Sequence, residues 1–164
     1  MKGILTAIAF ATCSQIHASG FPLQVNPWQL TRAIEQKENP TRNLSAVGDS
    51  RMRFRAYGLL QIREPYLRDV NKIAGSRMIR RVWHEKWLTL RDMKNPKKAA
   101  WVLRVYLSHY GKLYREETGR VPTIAVYARI HNGGPDGWRK WDTIAYAQDV
   151  VRYARLYRVH HQRV

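Results

Sequence analysis

The chain is expected to fold as a mainly α-helical domain with one small irregular or β-containing flap, and three features of the sequence lead to that expectation. Apolar residues recur at helical spacing in several separate runs. The clearest covers residues 96–118, where Ala99, Val102, Leu103, Tyr106, Leu107, Tyr110, Leu113 and Tyr114 trace one stripe. Two runs open on an Asn-Pro pair, Asn26-Pro27 and Asn95-Pro96. In such a pair the asparagine side chain can satisfy the first unpaired N–H groups, and the proline takes the first helical position, where its missing N–H costs nothing. The third feature is the polar interval 41–54, which shows no strong strand pattern and carries Gly48-Asp49-Ser50 at its centre.

Taken in order, the first helix is expected over residues 27–37, with Leu30, Ala33 and Ile34 as its apolar stripe and Asn39-Pro40 as its stop. Glu35 lies at the edge of that stripe, one and two turns on from Thr31 and Trp28, while Glu38 lies past it and is expected to be exposed. Apolar periodicity restarts at residues 56–62 and runs through residues 64–70 into a second helix begun or interrupted at Pro65. A short basic helix follows over residues 77–87, then the long one over residues 96–118. Pro122 opens the next, with Ile124, Ala125, Ala128 and Ile130 leading into Asn132-Gly133-Gly134-Pro135. Asp142 is expected to cap a last helix, in which Ile144, Ala147, Val151 and Ala154 face one way and Tyr146, Val150, Tyr153 and Tyr157 widen the stripe. There is no internal repeat, linker or low-complexity segment, so 164 residues make one domain with a real core.

Residues 1–18 read as a secretory signal, a single lysine before a weakly apolar run that is too short to span a bilayer, which leaves residues 19–164 as the mature domain. The expected location is therefore periplasmic or secreted, with no transmembrane anchor. Removing that segment takes away the only cysteine and one lysine, so the formal charge falls from +17 to +16 and no disulfide is possible. Such a charge draws a protein to polyanions, and for an exported one the anionic polymers of a cell wall are a better target than nucleic acid.

The Asn-Gly-Gly-Pro turn is the most informative stretch. Gly133 and Gly134 let backbone come close to a ligand, Pro135 ends the helix, and His131, Asn132 and Trp138 ring the bare backbone with polar and flat groups. Other chemistries lack their signatures. His84-Glu85 is followed by Lys86-Trp87 and fails the two-histidine zinc pattern, and neither a Gly-x-Ser-x-Gly elbow nor a phosphate-binding Gly-rich loop occurs. No metal and no cofactor is implied. His160 and His161 are expected in a solvated tail. Twelve carboxylates in a basic chain narrow the search for an acid catalyst.

Residues 128–135, Ala-Arg-Ile-His-Asn-Gly-Gly-Pro, resemble a segment of invertebrate-type lysozymes and more loosely the Tyr-Asn-Ala-Gly turn of soluble lytic transglycosylases and goose-type lysozymes. Ala33-Ile34-Glu35 with Asn39-Pro40 is similar to the transglycosylase Glu-Ser-x-x-Asn-Pro element. Residues 56–62, Ala-Tyr-Gly-Leu-Leu-Gln-Ile, are similar to their Gly-Ala-x-Gly-Leu-Met-Gln element and to the Cys-Gly-Pro-Phe-Gln-Ile element of the lysozymes, a match that extends to Tyr66. Residues 95–111 and 146–157 resemble the long and closing helices. The chain lacks the cysteines in which animal invertebrate-type lysozymes are rich.

This resemblance implies a lysozyme-like fold and a peptidoglycan glycosidase, a muramidase cutting the β-1,4 bond between N-acetylmuramic acid and N-acetylglucosamine. It points to Glu35 as general acid, with Tyr57, Gln61, His131, Asn132, Gly133 and Trp138 as sugar-binding residues. Asp49 stands where the invertebrate-type lysozymes carry an aspartate, although Gly48-Asp49-Ser50 is also an ordinary turn. The choice matters because retaining hydrolases need a second carboxylate about 5–5.5 Å from the acid, whereas lytic transglycosylases use one acid and release 1,6-anhydro sugars. The expected partners are peptidoglycan strands and anionic wall polymers, met by a monomer. A reading from another class is a basic nucleic-acid or envelope-binding module without catalysis, built on Arg77–Arg81 with Trp83 and Trp87.

Overall fold

The structure is a computed structural model that describes residues 25–160, with side chains to residue 157; the expected signal segment and His161 lie outside the described residues, as does the His160 side chain. The expected architecture is present at the level of fold class. Five α-helices, α1 (Pro27–Glu38), α2 (Glu64–Trp83), α3 (Pro96–Thr118), α4 (Ile124–Gly133) and α5 (Ile144–His160), accompany a three-stranded antiparallel sheet. No helix among the described residues is long and apolar enough to cross a membrane.

Both Asn-Pro starts work as expected. The Asn26 Oδ1 accepts from the N–H groups of Trp28 and Gln29, and the Asn95 Oδ1 from those of Lys97 and Lys98, with proline at the first helical position each time. α4 starts two residues after Pro122, where the Thr123 hydroxyl accepts from Val126 N–H. Asp142 does not cap α5. It lies inside the 3-10 turn Trp141–Thr143, and Thr143, buried and bonded to the carbonyls of Gly137 and Lys140, is the residue at the junction.

The two helices that the sequence divides meet within α2 at a kink at Gly75, whose φ of 67° and ψ of 159° no helix accommodates. α2 stops at Trp83 because His84 turns left-handed and returns its N–H to Arg80, which leaves Trp87 outside any helix and exposed.

The core is where the helical stripes meet. α1 packs chiefly on α5, α4 on α5, and α3 on α2, α4 and α1, so that Leu30, Ile34, Leu103, Leu107, Tyr127, Ile130 and Val150 are shut off from solvent. Gly111 permits the closest approach of α3 to α4, since a Cβ there would stand 2.5 Å from the Tyr127 ring. The flap takes β1 (Val47–Gly48) from the polar interval, while β2 (Ala56–Tyr57) and β3 (Ile62–Arg63) fall in and just after the apolar stretch expected to lead into the second helix, with Gly48 opposite Ala56 and Tyr57 opposite Ile62. Gly58 docks this flap on the body. Its φ is +74°, and a Cβ there would lie 2.1 Å from the Met93 carbonyl oxygen.

Gly58→Ala is therefore expected to cost about 3 kcal/mol or more through strain and overlap together, whereas Gly119→Ala, left-handed but with open space around it, should cost only about 1–2 kcal/mol. Urea unfolding of the two variants checks this; equal losses would mean that the flap does not depend on the contact with Met93.

Candidate active site

A carboxylate at the end of α1 gathers the largest set of polar groups from distant parts of the chain, and it belongs to Glu38. The Tyr146 hydroxyl, from the first turn of α5, donates to Glu38 Oε1 at 2.7 Å, and His131 Nε2, from the last turn of α4, stands 3.5 Å from the same oxygen. The other imidazole nitrogen of His131 faces the Tyr66 hydroxyl at 3.5 Å, and Tyr66 opens α2 immediately after the flap. His131 itself is buried, its ring edge-on to Tyr66 and tilted against Tyr146. Behind them Tyr66 stacks on Tyr106 at 3.5 Å between centroids, and Tyr110 donates to Asp69.

The expectation that Glu38 is an exposed surface carboxylate is thus corrected: its side chain is only 20% exposed. The physical reason is position. Glu38 is the last residue of α1, three positions after Glu35 on nearly the same helical face, and there the side chain meets the incoming ends of α4 and α5.

Burial pushes the Glu38 carboxyl upward and is the largest single influence on it, but the hydrogen bond and charge of His131, the Tyr146 hydroxyl and the charge of Arg63 act the other way and together hold it below the usual glutamate range. The hydroxyls of Tyr66 and Tyr146 are pushed well above the ordinary tyrosine value, first by burial and also by the charge of Glu38, so both remain protonated. Tyr146 is consequently a permanent donor.

Glu35 has different company. It is buried, with Arg32 Nη1 2.5 Å from Oε2 and Arg42 Nε 3.0 Å from Oε1, the latter close enough for charge attraction but not aligned for a hydrogen bond. Arg42 stands in the loop between α1 and the flap with φ +56°. Beside it Asn39, also buried, accepts from Thr41 and from the Asn43 N–H and donates to the Asn43 carbonyl. Glu35 and Asn39 together fasten that loop to α1.

Asp49 combines the two descriptions open from the sequence. Its carbonyl accepts from the Met52 N–H in a turn and its φ is +54°, yet its carboxylate is held by Arg63 through Nε at 2.8 Å and Nη2 at 2.5 Å. Because Arg63 also acts on Glu38, one guanidinium links the flap aspartate to the carboxyl at the end of α1.

Of the expected sugar-binding residues, Tyr57 is half-buried on the central strand of the flap, and Gln61, with φ +46°, spends its amide nitrogen on the Gly58 carbonyl. Asn132 is exposed next to His131, and the Gly133 carbonyl accepts from Lys140 Nζ at 2.6 Å. Trp138 is not grouped with them. Its ring stands edge-on to Tyr114, 5.1 Å between centroids, at the C-terminal end of α3. No cluster of three or more metal-ligating side chains occurs among the described residues. The chain matches no protein-family model, and no curated protein sequence is significantly similar to it.

Sequence reasoning passed over Glu38, Tyr66, Arg63 and Tyr146. One signal was available for this side of the site: Tyr127 and His131 are four residues apart and share a face of α4, so a buried Tyr127 implies an inward-facing His131.

Because the folded-state carboxyl of Glu38 lies below the usual 4.5, it contributes stability that is fully present above about pH 5 and is lost as pH falls through its folded value. Urea unfolding of wild type and Glu38→Gln at pH 7 and pH 3 should therefore show a gap at pH 7 that narrows at pH 3. A gap that widens toward acid would mean that the folded protein holds this carboxyl protonated.

Proposed function

We propose that the protein is a lysozyme-like glycosidase that cleaves the β-1,4 bond between N-acetylmuramic acid and N-acetylglucosamine in peptidoglycan, and that Glu38, rather than Glu35, supplies the proton to the leaving oxygen. One observation carries this reading. Four of the five stretches that resemble lysozymes and lytic transglycosylases meet there: the end of α1 supplies Glu38, and the segment from the flap to Tyr66, the Asn-Gly-Gly turn and the start of α5 each send a polar group to act at Glu38 or at its partner His131.

The chemistry follows from the balance of forces on that carboxyl. In the free protein hydrogen bonds and the Arg63 charge keep it ionised. A glycan seated over it removes water from the part of the side chain still exposed, which adds to burial, the influence that favours the protonated acid. Tyr146 and His131 fix its direction, and Asn132, exposed next to His131, is placed to meet acetamido groups. The protein works outside the cytoplasm as a monomer once residues 1–18 are removed, and its positive charge holds it on anionic wall polymers.

A second reading within the same class, a lytic transglycosylase, is favoured by the engagement of Asp49 with Arg63, which leaves Glu38 as the one carboxyl among the His131, Tyr146 and Tyr66 side chains. The two separate cleanly by product. Hydrolysis leaves a free reducing sugar and requires Asp49, so Asp49→Asn should cost several orders of magnitude; the transglycosylase leaves a 1,6-anhydro sugar, lighter by one water, and tolerates that substitution.

Digestion of purified peptidoglycan followed by mass spectrometry tests the assignment. Glu38→Gln should lose about 10²–10⁴-fold or more in rate while staying folded, whereas Glu35→Gln should lose less than about tenfold in rate but melt at lower temperature, with Arg32 and Arg42 left facing a neutral amide. The reverse pattern would return the acid to Glu35, and full activity in both variants would remove the glycosidase reading. Raising salt should weaken attachment to the wall steeply, as charge is screened over about 10 Å at 0.1 M, and should affect cleavage of a short neutral chitooligosaccharide far less. Equal sensitivity would place the action of the charge inside the cleft.

A further inference from the structure

A concave surface lies on the side of α4 away from Glu38, and the catalytic reading makes no use of it. We propose that this surface binds the ring of a negatively charged sugar, a pyranose bearing a carboxylate or a phosphate, as a subsite separate from the Glu38 site.

The groove has a volume of about 430 Å³ and is lined by Tyr114 and Thr118 of α3, Arg120 of the loop that follows, Val126 and Arg129 of α4, and Trp138. Two geometric facts set it apart from the Glu38 site. Arg129 and His131 are two residues apart on α4 and so point about 200° from one another around the helix; with His131 turned toward Glu38, Arg129 faces away. Along α3, Tyr114 lies eight residues, about 12 Å, beyond Tyr106, whose ring stacks on Tyr66 beside His131.

The lining suits a flat ring with a negative substituent. The Trp138 indole is fixed on two sides, edge-on to Tyr114 at 84° and under the Arg139 guanidinium, which lies 4.4 Å from its centroid and is itself ion-paired to Glu117. A rigid aromatic surface costs little entropy when the C–H face of a sugar rests on it. Charge selects the substituent. Two of the six lining residues are arginines and none is acidic.

Arg129 is already oriented, with Nε donating to the Thr143 hydroxyl at 3.0 Å and Nη2 to the Lys140 carbonyl at 2.9 Å, so the rest of its guanidinium is presented in a set direction. A held guanidinium beside a held ring is a discriminating site for an anion carried on that ring, because neither group must be immobilised when the ligand arrives.

The test is two-dimensional NMR on the ¹⁵N-labelled chain carrying Glu38→Gln, in which the proposed acid is already absent, so the result is independent of whether the catalytic reading holds. The Trp138 indole N–H is assigned by its disappearance in Trp138→Phe, and the probes are N-acetylmuramic acid, glucose 6-phosphate and neutral N-acetylglucosamine. The Trp138 signal should move with the anionic probes, saturating in the millimolar range, and Arg120→Gln should weaken that binding about tenfold without changing the melting temperature.

A response to N-acetylmuramic acid alone assigns the carboxylate-bearing wall sugar, and a response to both anionic probes assigns an anionic pyranose of either kind. A response of equal strength to the neutral sugar, binding that Arg120→Gln leaves undiminished, or no movement of the Trp138 signal with either anion would overturn the proposal.

Discussion

A carboxylate that has lost most of its water must find donors inside the protein, and in this chain the donors for Glu38 are His131 and Tyr146, from the far end of the sequence. Tyr146 can reach it only if α5 lies along α1. His131 can reach it only if α4 ends beside both, and Tyr66 can back His131 only if α2 starts at the same place. The ends of four helices are therefore fixed by one cluster of hydrogen bonds, while the apolar stripes of Leu30, Ile34, Tyr127 and Val150 supply the burial energy without specifying those ends. The ion pair of Lys37 with Asp149 adds a further tie between α1 and α5.

The neighbouring carboxylate does a different job with the same chemistry. Glu35 is buried against two guanidiniums, and its partner Arg42 belongs to the loop that leads from α1 into the flap. That region holds three of the four non-glycine residues with positive φ among the described residues, Arg42, Asp49 and Gln61. Each sits beside a specific side-chain contact: the charge attraction of Arg42 for Glu35, the hold of Arg63 on Asp49, and the bond of the Gln61 amide to the Gly58 carbonyl. Left-handed backbone at ordinary residues costs energy, and its concentration beside the site agrees with a flap that must be held in one shape.

Much of the fold was legible in the sequence because its signals are local. Asn26 and Asn95 act at their own helix starts, and the long stripe of α3 repeats within each turn. Where the outcome depended on distant partners, legibility ended. Helical spacing puts Glu35 and Glu38 on nearly one face, so periodicity could not say which would meet Tyr146, a residue 108 positions away. Trp138 follows the Asn-Gly-Gly turn closely in sequence, yet the intervening turn carries it to Tyr114. The division into two helices near Gly75 was legible, but not that a single-residue kink makes it, since a glycine that breaks a helix and a loop that separates two helices look alike in one dimension.

That break divides α2 into parts of unequal anchorage. Before it, Tyr66, Leu67 and Val70 are buried and tied to the site; after it, Ile79 is the one buried side chain of the helix, with Trp83 edge-on to Trp101 and with Met78 and Val82 facing solvent. A ladder of backbone bonds transmits rigidity only while it is unbroken. The residues beyond Gly75 can thus open and close without disturbing His131 or Glu38, and amide exchange there is expected to follow a smaller free energy than that of the whole domain.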